Sequence, residues 1–361
     1  MIFGFLQFQS NYFRMGQFVI HKSMKIPLFL VKIFNYEYWT WWLFYLPMTP
    51  YWLFQAIRAK SLAYFTAVNP GIEAGGFYGE HKTEILKNIS PDYLAKTIFI
   101  EKGTAYNKIT NSLITNNLTY PIIAKPNVGE RGNSVAKIHS EEELLKYHNE
   151  ISEDYLIQEF VSFSIELGVL FSRLPNEKMG KVSSLTLKEF LTVTGDDKSS
   201  IEELILQSTR ARFQLETLQN RMGEGIKEIL PLGEKRLLEP IGNHCRGTKF
   251  VNVNHLINKQ LDEVFTKVAE SYEGFFYGRF DMKVSSIKDL YEGKNIKIME
   301  LNGVSSDPGH IYDPKYYLWQ AYRDLMWHWK RAADISIQNQ KAGIKPLPFS
   351  DILAIVKQHF G

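Results

Sequence analysis

Between Tyr120 and Asn302 the chain is a succession of short apolar runs of strand length, separated by polar turns and helical stretches. The runs are Tyr120–Pro126, Ser134–His139, Tyr155–Val161, Ile165–Arg173, Lys181–Phe190, Phe275–Ser286 and Ile296–Asn302, with an earlier one at Thr97–Glu101. Runs this short, joined by Gly-containing turns, predict antiparallel pairing rather than βαβ crossovers. The first two, joined by Asn127–Asn133, read as a hairpin. Ser140 with Glu143 is a capping box that opens a helix at Glu141–Asn149. Further helices are expected at Ile201–Met222, Leu256–Glu273 and Pro314–Ala333. The fold class is therefore α+β, with antiparallel sheets and helices on their faces.

Composition narrows the function classes. The 361 residues carry a net charge of only +3, with 45% apolar and 22% charged residues. That excludes a disordered chain and gives no reason to expect a nucleic-acid partner. The single Cys245 forms no internal disulfide and fits a reducing, cytoplasmic setting. The nine His residues show no metal-ligand spacing.

Ten aromatic residues lie between Tyr36 and Phe54, and no charge occurs from Tyr38 to Ile57. The uncharged stretch has the length of a bilayer-spanning helix, but Pro47 and Pro50 interrupt it. Three placements are open: packing against the protein or a second subunit in a homodimer, peripheral membrane contact through residues 36–58, or a true span. Lys32, Arg58 and Lys60 flank it, which suits anionic head groups. No cleavable signal peptide is visible in residues 1–20, and Met24 offers an alternative start to Met1.

Three constellations carry chemistry. Lys125 closes an apolar strand, and Gly129, Arg131, Gly132 and Ser134 follow in a turn whose glycines let main-chain N–H groups approach an anion. A plain hairpin with a solvated lysine is the bland alternative. Next, Arg279 and Asp281 are two apart on one strand, and Glu300 and Asn302 two apart on the next. Antiparallel pairing puts Asp281, Glu300 and Asn302 on one patch of hard oxygen donors that suits Mg²⁺, beside a cation suited to phosphate. Last, Glu159 with the main chain of Phe160 and Val161 could border an adenine, and Glu166 could accept from a ribose.

Taken together, YPIIAKPNVGERGNSV, LIQEFVSFSIELGVL and GRFDMKV with IKIMELNGVSSDPG resemble the ATP-grasp superfamily, and within it the D-alanine–D-alanine ligase-like carboxylate–amine ligases. The resemblance covers roughly Lys82 to Arg331. It implies two α+β lobes gripping ATP, behind an atypical aromatic-rich N-terminal region. It further implies that Lys125 contacts the α/β-phosphates and that the 129–134 segment is a lid over them. Glu159 and Val161 would be the adenine hinge and Glu166 the ribose carboxylate. Asp281, Glu300 and Asn302 would hold two Mg²⁺ ions, Arg279 would stabilise an acyl phosphate, and Lys82 would be a further nucleotide lysine.

Two departures stand out. No Rossmann-like βαβ pattern precedes the resemblance, and the run after Asn302 is longer than the family's Asn–x–Ser–Pro–Gly. Both lie on the acceptor side and weigh against D-alanine as substrate. Candidate substrate contacts are His244 and Arg246, in a Gly-flanked loop, and Ser305 and His310. The organisation expected is an N-terminal region at 1–81, a small lobe at 82–160, a large lobe at 161–340 and a tail at 341–361. The function expected is an ATP- and Mg²⁺-dependent ligase joining a small carboxylate to an amine. A phosphotransferase of the same fold, or a non-catalytic membrane-attached nucleotide-binding protein, are the alternatives.

Overall fold

Alternation decides which side of each strand is dry. In the strand Ile122–Pro126, Ile122 and Ala124 are fully buried, while Lys125 points to the opposite face. A computed structural model describes residues 26–77, 82–128 and 134–360. This strand lies in a four-stranded antiparallel sheet with Thr97–Ile100, Tyr155–Glu159 and Ala136–Ile138, and the hairpin expected from the sequence is present. Helices Tyr106–Thr115 and Glu141–Glu150 supply Ile109, Leu113 and Leu144 to its core. Ser140 caps the second helix as expected, but Glu143 reaches back to the N–H of His139.

The second sheet has five antiparallel strands in the order Ile296–Asn302, Tyr277–Val284, Ile165–Ser172, Lys181–Glu189, Lys249–Asn252. One face is apolar over its centre: Leu167, Val169, Phe171, Phe280 and Met282 pack against Leu261, Phe265 and Val268 of the helix Lys259–Glu270. The edge strand breaks strict alternation, because Ile298 and Leu301 are both buried although three residues apart. A bulge resolves the conflict. Asp281 pairs with Glu300 and Met282 with Ile298, so Met299 is the extra residue. The bulge keeps both apolar side chains on the core face and Glu300 and Asn302 on the other.

Contacts between elements divide the chain into two units, Met48–Thr192 with Lys235–Gly361, and Met1–Pro47 with Val193–Glu234. Both sheets described above belong to the first. Within it, the helix Leu318–Lys341 runs eight residues beyond the expected end, because Ala332, Ala333 and Ile335 are buried and Asn339 donates to the carbonyls of Ala67 and Val68. Residues 341–361, expected as a tail, include the helix Phe349–Phe360.

The second unit corrects one expectation. The helix expected over Ile201–Met222 is two helices, Ile201–Gln207 and Leu215–Met222. The break falls at Ser208, which is extended and whose Oγ accepts from the N–H of Ala211. A serine hydroxyl that competes for main-chain groups ends a helix at little cost. Here Arg210 pairs with Glu37, and Arg212 donates to the carbonyl of Ile26. No helix among the described residues is long and apolar enough to cross a membrane.

Candidate active site

The second face of the five-stranded sheet is polar, and its register sets the side chains in rows. Lys297, Lys283 and Glu166 line up, with Lys188 beside Glu166. Glu300, Asp281, Gly168 and Thr186 form the next row, and Asn302, Arg279, Leu170 and Ser184 the third. The sequence reading of Asp281, Glu300 and Asn302 as one patch agrees with this register. Gly168 at the centre leaves room: a Cβ there would lie 3.3 Å from both Asp281 Oδ1 and Arg279 Cδ.

Arg279 grips Asp281 through two parallel bonds, Nε to Oδ1 at 3.0 Å and Nη2 to Oδ2 at 3.1 Å. Its Nη1 donates to the carbonyl of Asp307. Asn302 Nδ2 donates to Asp281 Oδ2 at 3.3 Å. Lys188 sits between two acids, 3.4 Å from Asp281 Oδ1 and 3.3 Å from Glu166 Oε1. Lys283 donates to the carbonyl of Val161 at 3.0 Å and lies 3.8 Å from Glu166 Oε2. Burial alone would raise Asp281, but Arg279 and Lys188 outweigh it and hold its carboxyl below the ordinary range. Burial would likewise lower Lys188, and Asp281 with Glu166 outweigh it and raise the ammonium. For Lys283 burial wins over Glu166, and the ammonium is lowered.

Lys125 comes from the four-stranded sheet. Its buried Nζ donates to Gln158 Oε1 at 3.1 Å and to the carbonyl of Met299 at 3.0 Å. The bulge is what turns Met299 away from the ladder. Burial, together with the charge of Lys82, pulls Lys125 down to about 8, against the opposing pull of Glu300 and Asp281. Lys82 opens the helix Lys82–Leu86, where Asn127 accepts from the N–H groups of Lys82 and Thr83. Lys82 and Glu300 line one small pocket with Ile85, Leu86, Met299 and Leu301. Gly129, Arg131 and Gly132 lie outside the described residues, and Ser134 is exposed with a positive φ of 53°.

The remaining candidates divide. The Glu159 carboxylate accepts from the N–H of Lys96 at 3.0 Å, which ties it to the neighbouring strand. Phe160 has Lys137 Nζ 3.7 Å above its ring and Lys283 Nζ at 5.1 Å. Gly242 closes over Glu166, since a Cβ there would lie 2.0 Å from Oε1. Two residues on, His244 packs against Phe250 and Tyr312, and Arg246 pairs with the buried Glu239 at 3.2 Å. Ser305 is exposed and gives its N–H to the carbonyl of Gly76. His310 is 1% exposed, held between Ser184 Oγ at 2.7 Å and Asp324 Oδ2 at 3.0 Å. It pins the segment after Asn302 to the sheet.

Sequence reasoning missed Lys188, Lys283 and Gln158. Lys283 had a signal, being two residues beyond Asp281 and so on its face. Lys188 had none, because its meaning depends on which strand lies beside Glu166. Among the described residues no group of three or more His, Cys, Asp or Glu side chains could hold a metal ion. The donor set at the patch is two carboxylates and one carboxamide.

No protein-family model matches the chain, and no curated protein does. Among solved structures, the chain is similar to a bifunctional glutathione synthetase from Pasteurella multocida, at 13% identity and TM-score 0.37, over 68% of this chain and 35% of that one. It is similar to a D-alanine–D-alanine ligase from Bacillus anthracis at 14% and 0.38, over 72% and 66%. It is also similar to the VanG D-Ala:D-Ser ligase from Enterococcus faecalis at 14% and 0.38, over 71% and 62%. The chain spans less than two thirds of the length of each. A likeness this distant carries no argument about activity, and the chemistry rests on the geometry above.

Proposed function

We propose that this chain is an ATP- and Mg²⁺-dependent ligase of the ATP-grasp type, joining a small carboxylate to an amine through an acyl phosphate. The observation that supports it most is the polar sheet face: Asp281 opposite Glu300, Arg279 opposite Asn302, and Lys125 reaching the carbonyl beside Glu300. The buried Lys188 and Lys283 and the half-buried Arg279 share this face with the acids Asp281, Glu166 and Glu300, and Lys125 reaches it from the four-stranded sheet. An excess of buried positive charge is costly unless an anionic ligand completes it, and a triphosphate does so.

Asp281, Glu300 and Asn302 fit Mg²⁺ by donor type. Asp281 Oδ1 meets Arg279 and Lys188, and Oδ2 accepts from Arg279 and Asn302, so a metal ion bound there would take the place of one of these contacts. These three residues would hold two Mg²⁺ ions, which when bound offset phosphate charge. Lys125 and Lys82 face the phosphates, and Glu159, Phe160 and Val161 border the base, with Glu166 on the ribose.

The substrate carboxylate attacks the γ-phosphorus and ADP leaves. The amine then attacks the acyl carbon, inorganic phosphate departs and the amine loses a proton. Arg279, held by two bonds to Asp281 and by its Nη1 on the Asp307 carbonyl, would stabilise the acyl phosphate. The 129–134 segment would exclude water from the acyl phosphate.

The test is ADP release measured over amino acids, dipeptides and polyamines. An amine-dependent rise in phosphate release supports the ligase. A stable phosphorylated product formed without an amine replaces it with a phosphotransferase.

A further inference from the structure

The helices between Leu28 and Arg58 carry many of the exposed large apolar side chains of the described residues. In the helix Thr49–Arg58, Leu53, Phe54 and Ile57 fall at helical spacing and are exposed, Ile57 at 76%. The opposite side, through Gln55 and Ala56, is buried. In the helices Leu28–Phe34 and Trp41–Tyr45, taken by themselves, Phe34 is 76% and Trp41 64% exposed, with Trp42 beside it. Exposed aromatic and aliphatic side chains at this density need a cover.

Charge says what the cover is. Between Ile26 and Leu62 the exposed charged residues are Lys32 and Lys60. The segment's acid, Glu37, is drawn in by Arg210, and its side chain is 7% exposed. Arg58 is paired with Asp334. The first 72 residues carry six Lys and Arg against one Glu, although the whole chain is only +3. A second copy docked face to face would set lysine against lysine. An anionic surface complements them.

We propose that the exposed apolar face of the helix Thr49–Arg58, with Lys60 beyond its end, docks on an anionic lipid bilayer, lying in its interface, and that the helices Leu28–Phe34 and Trp41–Tyr45, taken by themselves, carry faces of the same kind. The helices have 7, 5 and 10 residues, too short to cross a hydrocarbon core. Tryptophan and phenylalanine with flanking lysine is the composition that settles at the head-group boundary. This inference does not depend on the ligase reading.

Sedimentation of the full chain with vesicles tests it. The chain should pellet with vesicles of phosphatidylcholine and phosphatidylglycerol, and less so in high salt or with phosphatidylcholine alone. The triple variant Leu53→Ser, Phe54→Ser, Ile57→Ser should lower the bound fraction by about tenfold or more, with its thermal midpoint unchanged. The pair Lys32→Glu, Lys60→Glu, at exposed positions, should weaken binding only to the anionic vesicles. Wild-type chain that stays in the supernatant with both vesicle types overturns the proposal. So does a dimer in sedimentation velocity that the triple variant converts to monomer.

Discussion

Arg279 and Asp281, two residues apart on one strand, face each other in a two-bond pair at 3.0 and 3.1 Å. Asp281 is thus the counter-ion of Arg279, and of Lys188 as well, before any ligand arrives. Glu300, directly across the ladder, is half-buried at the edge. The two proposed metal ligands therefore differ in what else they do.

That difference separates function from folding. Asp281→Asn leaves the half-buried Arg279 and the buried Lys188 with one acid fewer, and should cost about 3 kcal/mol of stability. Glu300→Gln should change stability by less than about 1 kcal/mol, yet lower Mg²⁺-dependent ADP formation by about 100-fold. Urea unfolding and ADP release, measured on both variants, check this. Full activity in Glu300→Gln would remove it from the metal site.

Gly242 is the one residue that fits over Glu166. In Gly242→Ala the new Cβ meets Glu166 Oε1 at 2.0 Å and Lys188 Cδ at 3.2 Å. The loop or the ion pair must shift, at about 1–3 kcal/mol. If Glu166 meets the ribose, the ATP concentration for half-maximal ADP release rises as well. A variant with wild-type unfolding midpoint and ATP response would show that the contact yields freely.

His328 gives the protein an acid sensitivity. Burial, and then the neighbouring His310, push its ring down to about 3 against the pull of Asp324, and its Nδ1 lies 3.2 Å from the Tyr277 hydroxyl. Unfolded, a histidine takes its proton near pH 6.5. The unfolded state therefore binds more protons below that value. The stability is present above pH 6.5 and is lost as pH falls toward 3, at up to about 1.4 kcal/mol per pH unit. Between pH 6.5 and 5, His328→Gln should flatten the dependence of the urea midpoint on pH. An unchanged slope would place the proton uptake elsewhere.

What the sequence determined by itself was local. Side-chain alternation placed Arg279 and Asp281 on one face, Glu300 and Asn302 on one face, and Lys125 opposite Ile122 and Ala124. Those assignments need only the period of a strand. The short runs also implied antiparallel pairing. The tertiary structure decided the rest, because it rests on neighbours remote in sequence. Ile298 and Leu301 could both reach the core only if Met299 bulged, and that bulge frees the carbonyl Lys125 meets. Lys188 gained its place from the strand beside Glu166, and His310 is held between Ser184 and Asp324. Register and burial are settled by packing across the sheet, which no local pattern encodes.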